Sequence, residues 1–536
     1  MTSHTCPVPA ENRLHLSWPV IISAALIVLL AFGLRVIVIA ERAVGGDDRF
    51  IPPPLTDMHT YYESARLVAS GGTTVLYQPG VVYWYALGLH WIGDDPALLM
   101  MFVALGDSLA VGALLACGWL LLRNPAWGLG VGLLAALYPV AVFYGTTLLI
   151  EPFAVLLLAL SLWLWLWQRE SLTWWRSLAL GLLLGLISIT RFNLVSLGVA
   201  YGLWLMMDRK TALSLRLIHL SLCLGLALLI YLPINTAADV SWQLYSANNR
   251  DASGLGGNSI AYDAAELPYS ADLWRDIRIA PWRFAGLVAR KIIAAWDNVE
   301  VGNNLDYEVI RSLSPTLARL PGDFSLLALL GLMGLGLLWV KDLRLGIGLG
   351  LLLLAVTLSI GVSFALSRFR YPLVPMLILL AVLTLQTCVY ALRTRYWQNL
   401  KPALLVLPFA LLLTQALPAW GLRGTPPPLP SKPSYATLPE DAIALGLRFG
   451  EELELVGWRR HPAWQAAQRG YIDVGQAYAV ELFWRALQPP ASATSSTSNT
   501  CWTRRHWHRL RRTSGRCLFR RTTRCFGPSE RSSANS

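Results

Sequence analysis

A few ionisable residues stand out in a chain that is otherwise strongly apolar. Asp57 lies in the stretch from Leu55 to Gly72, soon after the first apolar run. There Asp57, Tyr61, Ala65 and Val68 are spaced as one face of a short helix, and Gly71-Gly72 would stop it. Glu151 opens the apolar run Leu149–Trp167, Arg191 separates two other runs, and Ser367-Arg-Phe-Arg370 precedes Tyr371-Pro372. A carboxylate can take the proton of a hydroxyl as its oxygen attacks. A guanidinium presents a planar fork of donors that suits phosphate oxygens. Gathered on one face of an apolar bundle, such residues form an active-site constellation. The simpler readings are that Asp57 caps a helix beginning at Met58 and that the arginines snorkel to headgroups.

The elements that must position these residues follow from composition. The chain has 536 residues, of which 55% are hydrophobic and only 14% charged, too much apolar surface for a soluble domain to hide. Runs near the length of a bilayer recur from Ser17 to Trp420. They are Ser17–Ala40, Ala97–Leu122, Trp127–Thr146, Leu149–Trp167, Ser177–Thr190, Phe192–Met207, Leu217–Asn235, Phe324–Val340, Leu345–Leu366, Tyr371–Leu392 and Ala403–Trp420. Short loops rich in Lys and Arg stay in the cytoplasm. Arg123, Arg169/Arg176, Arg209/Lys210/Arg216, Lys341/Arg344 and Arg393/Arg395/Lys401 all fall on one side, and with the N-terminus inside that side is cytoplasmic only if Pro79–Trp91 does not cross. That segment is short for a hydrocarbon core, so an interfacial or re-entrant helix is expected there. The expected architecture is an all-α polytopic membrane protein of about eleven crossings, with a cytoplasmic N-terminus and an external C-terminus. Asp57, Glu151, Arg191, Arg368, Arg370 and the loop 236–323 then share the external face. Within that loop Pro281–Asn298 reads as an amphipathic helix, with Phe284, Val288, Ile292 and Trp296 along one side and Arg283, Arg290 and Lys291 elsewhere.

The net charge of +12 lies mainly in the cytoplasmic-side loops and the tail, so no nucleic-acid partner is implied. Seven scattered Cys with no Cys/His ligand spacing give neither a structural zinc nor a disulfide framework, and no cofactor is expected, with a divalent metal left open. After the transmembrane region 1–420, residues 421–433 form a Pro-rich linker. Residues 434–490 read as a small helical module. Its Ala467, Gly475, Ala479, Phe483 and Ala486-Leu487 resemble part of a tetratricopeptide repeat. Residues 491–536 are Ser/Thr/Arg-rich, resemble sequence read in an altered frame, and are expected to be disordered.

Asp57 with Tyr61, Ala65 and Gly71, and then Pro79 opening an aromatic stretch, resembles the first external loop of GT-C glycosyltransferases. The branch is that of the protein O-mannosyltransferases and lipid A aminoarabinose transferases. Ile150-Glu151-Pro152, Ile189-Thr-Arg191-Phe-Asn193, Arg290-Lys291 with Trp296 and Glu300, and Ser367-Arg-Phe-Arg-Tyr-Pro-Leu-Val-Pro375 resemble later family motifs in the same order. The pattern departs at Met58, where many relatives carry a second acid. The resemblance implies a GT-C-like bundle with interfacial helices in its first external loop. It implies transfer of a sugar from a polyprenyl-phosphate donor to a glycan, lipid or protein acceptor, outside a bacterial inner membrane. Asp57 would be the general base of an inverting displacement, with Glu151 placing acceptor or sugar hydroxyls. Arg191, Arg368 and Arg370 would hold the donor phosphate, and Tyr61, Asn193 and Lys291 would position substrate. A transporter or flippase without catalysis, with charges lining a path, and a lipid-linked glycan ligase or polymerase are the competing readings.

Overall fold

The computed structural model describes residues 17–47, 50–53, 56–72, 78–169, 171–208, 210–233, 237–249, 252 and 269–418. Towards the C-terminus it describes 437–438, 440, 442–449, 453–460, 480–487 and 523–526. The chain divides into two units, Met1–Leu422 and Arg423–Ser536.

The first unit is helical. In chain order it contains α1 (Trp18–Val44), α2 (Asp57–Ala69), α3 (Pro79–Ile92), α4 (Pro96–Leu122), α5 (Pro125–Leu137), α6 (Pro139–Tyr144) and α7 (Glu151–Gln168). There follow α8 (Trp174–Thr190), α9 (Ser196–Met206), α10 (Leu213–Tyr231), α11 (Ala237–Asn248), α12 (Tyr269–Ile279), α13 (Pro281–Ala295), α14 (Tyr307–Leu313) and α15 (Pro315–Arg319). The last are α16 (Phe324–Lys341), α17 (Leu343–Val362), α18 (Ser367–Arg370), α19 (Leu373–Thr394) and α20 (Lys401–Leu411). Local chemistry sets many of the starts. Asp95, Asn124, Asp306, Asp323 and Asp342 each accept from backbone N–H groups in the first turn of the helix that follows. Pro stands at the beginning of α3, α4, α5 and α6, where its missing N–H costs nothing.

Among the described residues, eight helices are long and apolar enough to cross a membrane: α1, α4, α7, α10, α16, α17, α19 and Trp397–Ala416, which contains α20. α5, α8 and Phe192–Met206 are shorter apolar helices. Trp18, Leu26 and Leu29 of α1, Leu229 of α10 and Leu405 of α20 are largely exposed and suit a lipid surround. The chain is therefore a multi-pass membrane protein. α3, with 14 residues, rises about 21 Å, short of a ~30 Å hydrocarbon core.

Two expectations about this unit are corrected. The run Trp127–Thr146 is not one helix. It breaks at Tyr138, whose extended backbone (ψ 116°) precedes Pro139, and it ends at Tyr144. Proline disfavours helical geometry in the residue before it. The cap of α2 is not Asp57 but Thr56, whose hydroxyl accepts from His59 N at 3.2 Å. Asp57 is the first residue inside that helix.

In the second unit, the described part of 434–490 is β-structure rather than the helical module expected. β1 (Ile443–Phe449), β2 (Leu453–Arg460) and β3 (Val480–Ala486) pair antiparallel in order, and β4 (Thr523–Phe526) pairs parallel with β3. Strand β4 lies in the tail expected to be disordered. Gly446, at φ +60°, takes up the register shift between β1 and β2. Phe483 is fully buried in this sheet. Period-two side-chain placement buries one face of paired strands, whereas a lone helical repeat has no neighbour to cover it. Ala467, Gly475 and Ala479 lie outside the described residues, as does the linker 421–433.

Candidate functional site

Asp57 is placed by two neighbours that are remote in sequence, through three hydrogen bonds. Its backbone N–H donates to Asn304 Oδ1 at 3.1 Å, and Asn304 Nδ2 donates back to Asp57 Oδ2 at 2.8 Å. Arg368 Nη1 donates to the same Oδ2 at 2.6 Å. Oδ1 accepts no hydrogen bond among the described residues. The Asp57 side chain keeps 36% exposure and that of Arg368 14%, so the pair is open at one side. Burial works to raise the Asp57 pKa, but the Arg368 charge, the hydrogen bonds from Arg368 and Asn304, and the charge of Arg191 outweigh it. They hold the carboxyl below its usual range.

Beside this pair is a narrow, partly open cleft, with Asn304, Arg368, Glu300, Tyr144 and Tyr307 among its lining. The segment from Asp297 to Asp306 builds one wall and is fastened to α18. Val301 O accepts from Ser367 N at 3.1 Å, while Arg370 donates to Asp297 O and to Glu300. The opposite wall carries Phe143, Tyr144 and Leu149, and Leu149 O accepts from the Tyr85 hydroxyl of α3 at 2.7 Å.

The other expected residues fall into two groups. Glu151, the first residue of α7, pairs with Arg191 at 2.5 Å, both about 1% exposed. Arg191 Nε and Nη2 and Glu151 Oε2 have no hydrogen-bond partner among the described residues. The Arg191 guanidinium lies 4.1 Å from the centroid of the Phe369 ring, and Arg368 lies 5.5 Å from it. Asp57, Arg368, Glu151 and Arg191 thus form a run of alternating charges, and the fields of both acids reach Arg368. Arg370 is 3% exposed and held by Glu300. Of the three arginines, only Arg368 lines the cleft. Tyr61 is buried and donates to Gln78 Oε1 at 2.9 Å. Asn193 donates to Ser359 Oγ at 3.1 Å and braces the α8–α9 junction on α17.

Lys291 differs from expectation. It is 1% exposed on the inward side of α13, beside Leu287, Ala294 and Ala295. Its ammonium donates to Ala247 O and Asn248 Oδ1, each at 2.7 Å. Burial without a carboxylate partner pushes its pKa down to about 7. It does not line the cleft.

Asn304 and the cleft-lining role of Glu300 were not foreseen from sequence. Asn304 sits in Gly302-Asn-Asn304, which signals a turn and nothing more. A second buried pair was also missed. Arg35 of α1 donates to Asp107 of α4 at 2.6 Å, at exposures of 0% and 2%, and both line a small, otherwise mostly apolar pocket. Seven residues on, Arg42 donates to Thr146 O and, at 2.9 Å, to Asp47. Residues 35 and 42 share one helix face, and Arg42 anchors the segment that leads to Glu151. No group of three or more His, Cys, Asp or Glu is placed to hold a metal among the described residues. Compared with protein-family models and with curated proteins, the chain matches none.

Proposed function

We propose that this chain is a membrane glycosyltransferase of GT-C-like arrangement, with about eleven crossings and its site on the external face. It would pass a sugar from a polyprenyl-phosphate donor to an acceptor hydroxyl. The observation that carries this reading is the Asp57–Arg368 pair, whose arginine lines the cleft and whose carboxylate has Oδ2 engaged while Oδ1 accepts no hydrogen bond among the described residues. In the reaction the acceptor oxygen attacks the anomeric carbon as the bond from that carbon to the phosphate oxygen breaks. The proton passes to Asp57 Oδ1. The anomeric configuration inverts, because attack and departure occupy opposite faces. The polyprenyl phosphate leaves with one more negative charge than it had as a diester, and the Arg368 guanidinium meets that charge. Glu151 and Arg191 supply a fixed, dry dipole behind Arg368. The exposed apolar flanks of the bundle suit the polyprenyl chain, which needs no water-filled route to the cleft.

The test is transfer of radiolabelled sugar from short-chain polyprenyl-phosphate donors to endogenous acceptors in membranes. Asp57→Asn should keep expression and folding and lower transfer by about 10²–10⁴-fold. Turnover near wild type in that variant removes Asp57 from the mechanism. The buried Arg35–Asp107 pair inside the bundle suits a transport path instead. Uptake of label into sealed vesicles without covalent transfer would establish that reading and overturn this one.

A further inference from the structure

The segment between α13 and α14 carries a residue whose contacts concern Asp57 itself. Asn304 lies 247 positions from Asp57 and holds it at two atoms: its carbonyl receives the Asp57 N–H, and its amide donates to Oδ2. Arg368 holds the same Oδ2 from another direction. Arg368 holds Oδ2 through Nη1 alone and has Nε without a partner among the described residues, so it can turn to a phosphate and slacken its hold on the carboxylate. When Arg368 does so, the amide of Asn304 is the remaining restraint on the carboxylate. We propose that Asn304 is the positioning residue for Asp57, holding Oδ2 so that Oδ1 stays available to the acceptor while Arg368 is given over to the donor phosphate. This rests on the transfer reading above.

The chemistry separates this role from a structural one. A residue needed only to receive the first N–H of α2 is replaced well by Asp, which has the same shape and suits a helix N-terminus. A residue needed to donate to a carboxylate is replaced worst by Asp, which has no donor and adds a like charge. Gln keeps both the carbonyl and the amide. The groups that set the Asp57 charge are Arg368, Asn304 and, more distantly, Arg191. Losing the Asn304 hydrogen bond removes one influence that favours the ionised form, so Asp57 should protonate at higher pH in Asn304→Ala and higher still in Asn304→Asp.

The experiment uses the full chain in membranes and purified in nanodiscs. Initial rates are measured with polyprenyl-phosphate mannose, glucose and aminoarabinose, and the melting temperature is recorded for each variant. Carbodiimide labelling of Asp57 across pH is read by mass spectrometry and needs no turnover. Asn304→Ala should lower kcat by about 10–100-fold with donor KM changed by less than about threefold. Asn304→Gln should retain more activity than Ala, and Asn304→Asp less, at an unchanged melting temperature. Asn304→Asp active at the wild-type rate overturns the proposal, as does loss expressed only in KM. If wild type transfers none of the three sugars, the glycosyltransfer reading fails by itself. The labelling then decides Asn304: a midpoint moved upward in the Ala and Asp variants supports the grip, and an unmoved one overturns it.

Discussion

Replacing Lys291 by Met should change stability with a sign that depends on pH. The ammonium is buried against α11 with two neutral acceptors and no carboxylate. Its pKa falls from 10.5 to about 7, a difference of roughly 3.5 units, or about 5 kcal/mol. Between those limits the unfolded chain holds a proton that the folded chain lacks. Stability therefore rises with pH through this window, and at pH 7 and below the lysine costs the fold about that amount. Lys291→Met removes the cost but orphans Ala247 O and Asn248 Oδ1, at about 1–2 kcal/mol each. The variant should thus be more stable than wild type by about 1–3 kcal/mol at pH 7 and less stable by about 2–4 kcal/mol above pH 10.5. With an unfolding entropy near 2.1 cal/mol/K per residue over about 400 residues, this is roughly +1 to +4 °C at low pH, reversing to about −2 to −5 °C at high pH. The assay is thermal unfolding of both proteins in detergent from pH 6 to 11, taken as a difference so that other titrating groups cancel. Parallel curves, or a variant less stable at every pH, refute the reasoning.

Arg35→Met and Asp107→Leu should each lose about 3–5 kcal/mol, because each strands a buried charge, and the double variant should recover most of it; melting temperatures in detergent decide this. Gly145→Ala should be destabilising, since a Cβ there would sit 2.6 Å from both Arg35 Nε and Asp107 Oδ2; a wild-type melting temperature would contradict the packing described. Arg368→Ala should weaken binding of polyprenyl phosphate in an equilibrium assay. Arg191→Ala and Arg370→Ala should chiefly lower thermal stability, because they strand buried Glu151 and Glu300.

Much of the membrane unit was legible residue by residue. Hydropathy located α1, α4, α7, α16, α17 and α19 within a few residues, because a helix in lipid must satisfy its own backbone and show apolar side chains outward. The brevity of α3 was readable from Pro79 and Gly93. What misled was local evidence overruled by distant partners. Charge pattern set Lys291 off the apolar side of α13, yet the free acceptors at the end of α11 draw it inward. Asp57 has the composition of a cap, but Thr56 takes that role and frees the carboxylate for Arg368. In 434–490 a few residues spaced like a helical repeat mattered less than strands able to pair.

Sequence alone determined that the chain is a multi-pass helical membrane protein, and it picked out Asp57, Glu151, Arg191, Arg368 and Arg370 as charges expected on one face. Tertiary structure alone decided how they pair: Asp57 with Arg368 across 311 positions, Asn304 with Asp57 across 247, Glu151 with Arg191 across 40. Hydropathy and capping act within a few residues and leave a trace in the order of amino acids. Which carboxylate meets which guanidinium is settled by helix packing, which no short stretch records.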